Sequence, residues 1–218
     1  MNNIRSVLKH QYDVDIADIV PQQGGWSTLA YKVSDMNQRY FLKVYEKSRA
    51  STPKLTALID QYMPIMVWLM HNSNLKGNIT VPLLTVNGEY KCEDDVGIYL
   101  LYDYIDGETI GNRKLTEDQI QQFSEIIASL HFYGEEIPIE TDSIKEDFQV
   151  PFLQLFRDIL NDENKHIAGG VRKVVSPYVK QINDLVNTVE KLAIYLKNSD
   201  LKMALLSYGL ALLEFNGI

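Results

Sequence analysis

A lysine in the middle of an apolar strand limits the folds open to this chain more than any other feature. Residues 40–45 read YFLKVY, and Lys43 is the only charged side chain among them. Apolar residues at period 2, bounded by turn residues, predict a strand. Burying an ammonium group is costly unless an anion meets it. The pattern therefore predicts either an anion-binding lysine or a lysine on the solvent face of an antiparallel sheet.

A glycine-rich turn precedes this strand. Residues 22–28 read QQGGWST, with Gly24 and Gly25 side by side, and an alternating run, LAYKV, follows at residues 29–33. Turn residues at positions 35–38 then separate the two alternating runs. Backbone N–H groups in such a turn suit a phosphate. We therefore predict a first strand over residues 15–22, two further strands, and a phosphate cradle near Lys43.

Charge and composition narrow the classes of partner. The chain has 218 residues and a net charge of −8, with no basic cluster, so we expect no nucleic-acid partner. It contains no apolar run long enough to span a membrane and no signal peptide, so we expect no membrane partner. The single cysteine, Cys92, excludes an internal disulfide and is typical of a reducing cytoplasm. We expect it to be structural rather than catalytic.

Helix periodicity alternates with strand patterns in the first half. We predict a helix over residues 3–12 and a long helix from residue 53 to about His71, with a kink or break at Pro64. Asp60 is the only acid in that second helix. Strands are predicted over residues 80–85 and 96–102. An acidic, glycine-containing connection around Asp106 follows, which places a boundary between residues 1–105 and residues 106–218.

The second half is predicted to be helical, which makes the whole chain α+β. Thr116 and Gln119 have the spacing of a capping box, and the helix that they start is predicted to end near Gly134. An acidic loop over residues 135–149 and a short helix from Pro151 follow. Ser176 caps a long helix that residues 198–200 stop.

The order of these elements resembles the aminoglycoside phosphotransferase family, and its spectinomycin-type branch in particular, within the protein-kinase-like fold. Four stretches carry the resemblance: QGGW at 23–26, YFLKVY at 40–45, IYLLYDYIDG at 98–107 and SLH at 129–131. The resemblance extends from about residue 10 to residue 205. It implies a two-lobed fold with an antiparallel-sheet N-lobe over residues 1–105 and a helical C-lobe over residues 106–218.

The resemblance also implies a function and its residues. It implies transfer of a phosphoryl group from ATP or GTP, with Mg²⁺, to a hydroxyl of an aminoglycoside, aminocyclitol or similar small molecule, and hence a link to antibiotic resistance. In that scheme Gly24 and Gly25 cover the phosphates and Lys43 contacts the α- and β-phosphates. A hinge formed by Asp103, Tyr104 and Ile105 surrounds the base. Asp60 then either pairs with Lys43 or is a solvated surface acid.

One departure from the family limits this expectation. The catalytic loop of the fold, H-x-D-x-x-x-x-N, and the metal-binding Asp beyond it are absent from the sequence. Residues 206–218 contain one acid, Glu214, and no histidine. We therefore expect a C-lobe truncated before or within that loop, a chain that catalyses no transfer, and no catalytic or metal-binding residues. The alternatives are a non-catalytic nucleotide-binding or interaction protein, and a domain without any ligand.

The genetic code allows a specific origin for residues 206–218. Codons can be chosen for residues 205–217 so that deleting one T from a run of four produces H-x-D-x-x-x-x-N in the shifted frame. The pattern then falls where the fold needs its catalytic loop. We therefore predict that this tail is read out of frame in an otherwise ordinary kinase gene.

Overall fold

The computed structural model describes residues 2–22, 27–107, 114–134, 136–161 and 169–199. The described residues up to Ile144 belong to one compact unit, and those from Lys145 onward form a second. The lobe boundary at residues 105 and 106 stays a prediction. Among the described residues, we find no helix with the length and apolar composition that a membrane span requires.

A five-stranded sheet forms the centre of the first unit. Its strands are β1 (Asp18–Gln22), β2 (Leu29–Ser34), β3 (Arg39–Glu46), β4 (Cys92–Glu93) and β5 (Gly97–Asp103). Their order in space is β1-β2-β3-β5-β4, and all neighbouring strands are antiparallel. Asp35 starts the turn between β2 and β3, because its carboxylate accepts the N–H groups of Asn37 and Gln38 at 2.7 Å each. The predicted antiparallel sheet is present.

Helix α1 (Asn2–Tyr12) covers one face of the sheet, which we call the α1 face. Its Ile4 and Leu8 are buried against every second side chain of the strands, among them Val33, Leu42 and Leu101. This alternation follows from the pleat of a strand. Cys92 lies in the same cluster as a free, buried thiol, and burial raises its pKa to about 11.

Two helices follow β3 where one long helix was predicted. These are α2 (Thr52–Thr56) and α3 (Ile59–Asn72), and the interruption between them falls at residues 57 and 58. The chain does not break at Pro64, which lies inside α3, and a kink there stays a prediction. A proline there removes the N–H that would bond the carbonyl of the fourth residue before it and crowds that carbonyl, yet the helix continues to Asn72.

Residues 80–85 do not form the predicted strand. Within this segment, the N–H of Leu83 donates to the carbonyl of Leu101 at 2.7 Å, and Thr85 bonds Glu89 at 2.9 Å. Pro82 lacks the N–H that a continuous ladder requires, so the segment follows the sheet edge without joining it.

Helix α4 (Glu117–Tyr133) packs on α3 in the same unit. The predicted capping box is present: the Thr116 hydroxyl accepts the Gln119 N–H at 3.2 Å, and the Gln119 side chain accepts the Thr116 N–H at 3.0 Å. Ile126 and Leu130 of α4 are buried with Ile65 and Leu69 of α3. A short 3-10 helix, Asp142–Ile144, ends the unit's described residues.

The second unit is helical. It contains α5 (Leu153–Asn161), α6 (Gly169–Val175), a 3-10 turn at Ser176–Tyr178 and α7 (Val179–Lys197). Arg157 of α5 bonds both carboxylate oxygens of Glu190 on α7, at 3.3 and 2.6 Å. Many large apolar side chains of these helices are exposed to solvent.

Candidate functional site

Lys43 lies on the sheet face opposite α1, which we call the Lys43 face. Its neighbours along β3, Phe41 and Tyr45, belong to the cluster that packs against Ile59 and Met63 of α3. In register, Lys43 stands opposite Ala30 on β2 and Leu100 on β5. The sequence pattern left open whether this lysine lies on a solvent face. It is half-buried instead, on the face that α3 covers in part.

The charge of Lys43 has no counterpart in the part of the chain that the structure describes. Its ammonium lies 6.0 Å from the centroid of the Tyr45 ring, and no described carboxylate lies within ion-pair distance. Burial lowers the pKa of Lys43 because it disfavours the charged form. An anionic ligand at this position would supply the missing charge.

Asp60, the candidate acid of α3, points elsewhere. Its carboxylate pairs with the ammonium of Lys91 and is 58% exposed. Of the two alternatives for Asp60, the structure favours the solvated surface acid. The alternative ion pair between Asp60 and Lys43 is therefore not present.

The predicted hinge, residues 103–105, has backbone groups without hydrogen-bond partners among the described residues. The N–H of Tyr104 donates to the carbonyl of Arg39 at 3.1 Å, so Arg39 and Tyr104 form a hydrogen-bonded pair. Hydrogen-bonded and non-hydrogen-bonded pairs alternate along an antiparallel ladder, so the adjacent pair, Tyr40 on β3 and Asp103 on β5, is not hydrogen-bonded. The backbone groups of Asp103 therefore point away from β3. Among the described residues, the Asp103 carbonyl and the Ile105 N–H have no backbone partner.

Charged and aromatic side chains surround Tyr104. The Lys32 ammonium lies 4.8 Å from the ring centroid, and the Arg39 guanidinium carbon lies 5.4 Å from it. Arg39 also donates two parallel hydrogen bonds to the Asp106 carboxylate, at 2.7 and 2.5 Å. This hydrogen bonding lowers the pKa of Asp106 and raises the pKa of Arg39. The Gln38 amide donates to Asp103 at 3.1 Å.

Two further features of the site were predicted: a phosphate cradle at Gly24 and Gly25, and residues 1–218 without metal ligands. Gly24 and Gly25 lie outside the described residues. In the ranges that the structure describes, no group of three or more His, Cys, Asp or Glu side chains could hold a metal ion. The predicted absence of Mg²⁺ ligands stays a prediction. The six predicted nucleotide-binding residues stay predictions.

Lys32, Arg39 and Asp106 were not predicted as site residues from the sequence. Arg39 has the same strand parity as Lys43, which places both on one face, and this signal was available in the sequence. The pairing of Arg39 with Asp106 was not available, because it depends on the register between β3 and β5.

Solved structures of small-molecule kinases are among those similar to this chain. A spectinomycin phosphotransferase, APH(9)-Ia, in complex with ADP and spectinomycin has 20% sequence identity and a TM-score of 0.62, covering 91% of this chain and 59% of that one. Its AMP-bound complex also has 20% identity, with a TM-score of 0.59 and coverage of 91% and 60%. A microcompartment-associated aminopropanol kinase has 14% identity and a TM-score of 0.50, covering 68% of this chain and 45% of that one.

The fold is kinase-like. The predicted α+β class and the resemblance to spectinomycin phosphotransferase are confirmed at the level of the fold. The chain spans about three fifths of the length of the spectinomycin phosphotransferase, at coverage of 59% and 60%. Neither a protein-family model nor a curated protein sequence matches it.

Proposed function

We propose that this chain carries the nucleotide-binding part of a small-molecule kinase of the aminoglycoside phosphotransferase type, and that it binds nucleotide without transferring phosphate. The observation that carries the proposal is the half-buried Lys43, which has no described anionic partner. The unpaired backbone groups at Asp103 support the proposal, since Asp103 ends β5, and β5 pairs directly with β3, the strand of Lys43.

The phosphates and the base of a nucleotide would contact different parts of this sheet. The Lys43 ammonium would neutralise the α- and β-phosphates, and Gly24 and Gly25 would cover them with backbone N–H groups. The Asp103 carbonyl and the Ile105 N–H would bond the edge of the base, beside Tyr104. An adenine nucleotide is the first choice over GTP, because the two spectinomycin phosphotransferase structures hold ADP and AMP.

Transfer itself would require groups that the sequence does not contain. The H-x-D-x-x-x-x-N loop that supplies the base, and the metal-binding Asp beyond it, are absent from residues 1–218. Enzymes accelerate phosphoryl transfer mainly by positioning the reactants and stabilising the charge that develops in the transition state. The acceptor expected for the complete kinase is an aminoglycoside, an aminocyclitol or a similar small molecule, in the cytoplasm, with antibiotic resistance as the biological consequence.

Calorimetric titration of ADP tests the proposal. We expect wild type to bind ADP and Lys43→Met to bind it at least about tenfold more weakly, because one charge-assisted contact is lost. Lys47→Met is the matched control, since Lys47 is exposed and its ammonium pairs with Glu93, the one ion pair it makes among the described residues. Equal ADP affinity in wild type and Lys43→Met would contradict the site. Spectinomycin-dependent turnover of ATP that Lys43→Met abolishes would contradict the predicted lack of transfer.

The nucleotide sequence over codons 200–230 tests the origin of the tail. We expect one of the two shifted frames to encode H-x-D-x-x-x-x-N, and a frame-corrected gene to produce an active kinase. Absence of that pattern from both frames would remove the frameshift account.

A non-catalytic interaction protein is the second candidate. The exposed apolar side chains of α5, α6 and α7 favour it, because such surfaces often mark contacts between proteins. The two candidates differ in ADP binding, which only the first requires.

A further inference from the structure

We propose that Arg39, Asp106, Tyr104 and Lys32 form a clamp that positions the hinge for the base of a nucleotide. The inference deepens the proposed function and rests on it. In this hinge clamp the Arg39 guanidinium makes two contacts, one with the Asp106 carboxylate at 2.5 and 2.7 Å and one with the Tyr104 ring. Lys32 contacts the same ring from β2.

The clamp residues contact residues 104–107, a segment that makes few other hydrogen bonds to described residues. β5 ends at Asp103, and residues 104–107 belong to no helix or strand. The only backbone bond from Tyr104, Ile105 or Asp106 to another described residue is the one from Tyr104 to Arg39. A bidentate Arg–carboxylate pair adds geometric specificity to such a segment. The side chains thus fix the path of the backbone directly after Asp103.

The position of the clamp separates its effect from that of Lys43. Arg39 and Lys43 lie four residues apart on β3, which corresponds to about 13 Å along a strand. The clamp therefore lies at the base end of the proposed site, and Lys43 lies at the phosphate end. Loosening the clamp should weaken binding of the base and leave the phosphate contacts in place.

The pair of Arg39 with Asp106 is expected to affect ligand affinity rather than the stability of the fold. The side chains of Arg39 and Asp106 are 47% and 68% exposed, and exposed ion pairs contribute little to the stability of a fold. We therefore expect the clamp residues to be positioning residues. Their loss should change ligand affinity with little change in melting temperature.

Calorimetry with adenosine and with ADP tests the clamp. We expect the charge reversals Arg39→Asp and Asp106→Arg each to weaken both ligands by the same factor, about fivefold. The double variant Arg39→Asp/Asp106→Arg should bind both more tightly than either single variant. Lys43→Met should weaken ADP alone. Arg157→Gln is the matched control, since it removes another bidentate Arg–carboxylate pair, that of Arg157 with Glu190.

The outcomes are distinguishable. Wild-type affinity in both single variants, or weakening of ADP without adenosine, overturns the clamp. If wild type binds neither ligand, the proposed function fails, and hydrogen exchange of the free protein tests the clamp instead. Arg39→Asp should then speed exchange of the amides of residues 104–107. Unchanged exchange there would overturn the clamp as well.

Discussion

The Lys43 ammonium lies half-buried between Phe41 and Tyr45, without a carboxylate partner among the described residues. An uncompensated charge in such a place opposes folding. We expect Lys43→Met to raise the free energy of unfolding at pH 7 by about 1 kcal/mol, measured by urea denaturation without nucleotide. Lys47→Met, at an exposed position, should leave it nearly unchanged. Destabilisation by Lys43→Met would show that the ammonium has a partner.

The pH dependence of this effect has a definite sign. Burial lowers the pKa of Lys43 in the folded state below its ordinary value of 10.5, so between the two values the unfolded chain binds more protons. The Lys43 contribution to stability therefore rises with pH in that window. We expect the advantage of Lys43→Met to be largest at pH 7 and to shrink as the pH approaches 10.5. A difference that stays constant over this range would contradict the lowered pKa.

Gly97 lies so close to β3 that a side chain at this position would be expected to lower stability. A Cβ there would lie 3.1 Å from the Tyr45 carbonyl oxygen and 3.1 Å from a Val44 methyl. Since the oxygen belongs to a paired strand, it cannot move freely, and we expect Gly97→Ala to lower the free energy of unfolding by about 1 to 3 kcal/mol. Gly107→Ala is the control, because no heavy atom of the described residues lies within 4 Å of where its Cβ would be. Equal stability of the two variants in urea would contradict this.

At the candidate site, sequence reasoning reached single residues but not their pairs. Lys43 could be predicted because a cation in an apolar strand is visible in the sequence itself. The partner of Asp60 could not, since Lys91 lies far along the chain and the pair depends on tertiary packing. The contact of Lys32 with Tyr104 escaped prediction for the same reason.

Among the elements, α4 depends on its capping box. Thr116→Ala removes the hydroxyl that accepts the Gln119 N–H, and we expect it to lower the free energy of unfolding by about 1 kcal/mol. Ser124→Ala is the control within the same helix, because its exposed hydroxyl bonds only the Ile120 carbonyl and alanine is the better helix former. Thermal or urea unfolding followed by circular dichroism measures both. A loss as large for Ser124→Ala would mean that the cap has no special role.

Elements with local signals could be predicted, and elements with distant causes could not. Helix α1, the β2–β3 hairpin and the start of α4 depend on neighbouring residues, and the structure contains all three. The interruption at residues 57 and 58 carries no glycine or proline, so the sequence offered no signal there. Residues 80–85 have strand-like apolarity, but Pro82 prevents a complete ladder.

At the scale of the whole molecule, the second unit has an unusually apolar surface. Phe152, Val174 and Tyr195 are 69%, 68% and 67% exposed. Exposed apolar surface promotes association. We expect Phe152→Gln/Tyr195→Gln to lower binding of the dye ANS and light scattering at high protein concentration. Met36→Gln, at an isolated exposed position in the first unit, is the control and should change neither. Equal dye binding in all three proteins would contradict the expectation.

The strand order also affects how the chain folds as it is synthesised. β3 pairs with β5, and the whole segment from residue 47 to residue 96, with α2 and α3, lies between them in sequence. Closing so long a loop costs chain entropy, and contacts distant in sequence slow folding. On the ribosome, the first three strands emerge well before their partner, and the edge of β3 stays unpaired until β5 has left the exit tunnel. During that interval β3 exposes the backbone groups through which unfinished chains aggregate.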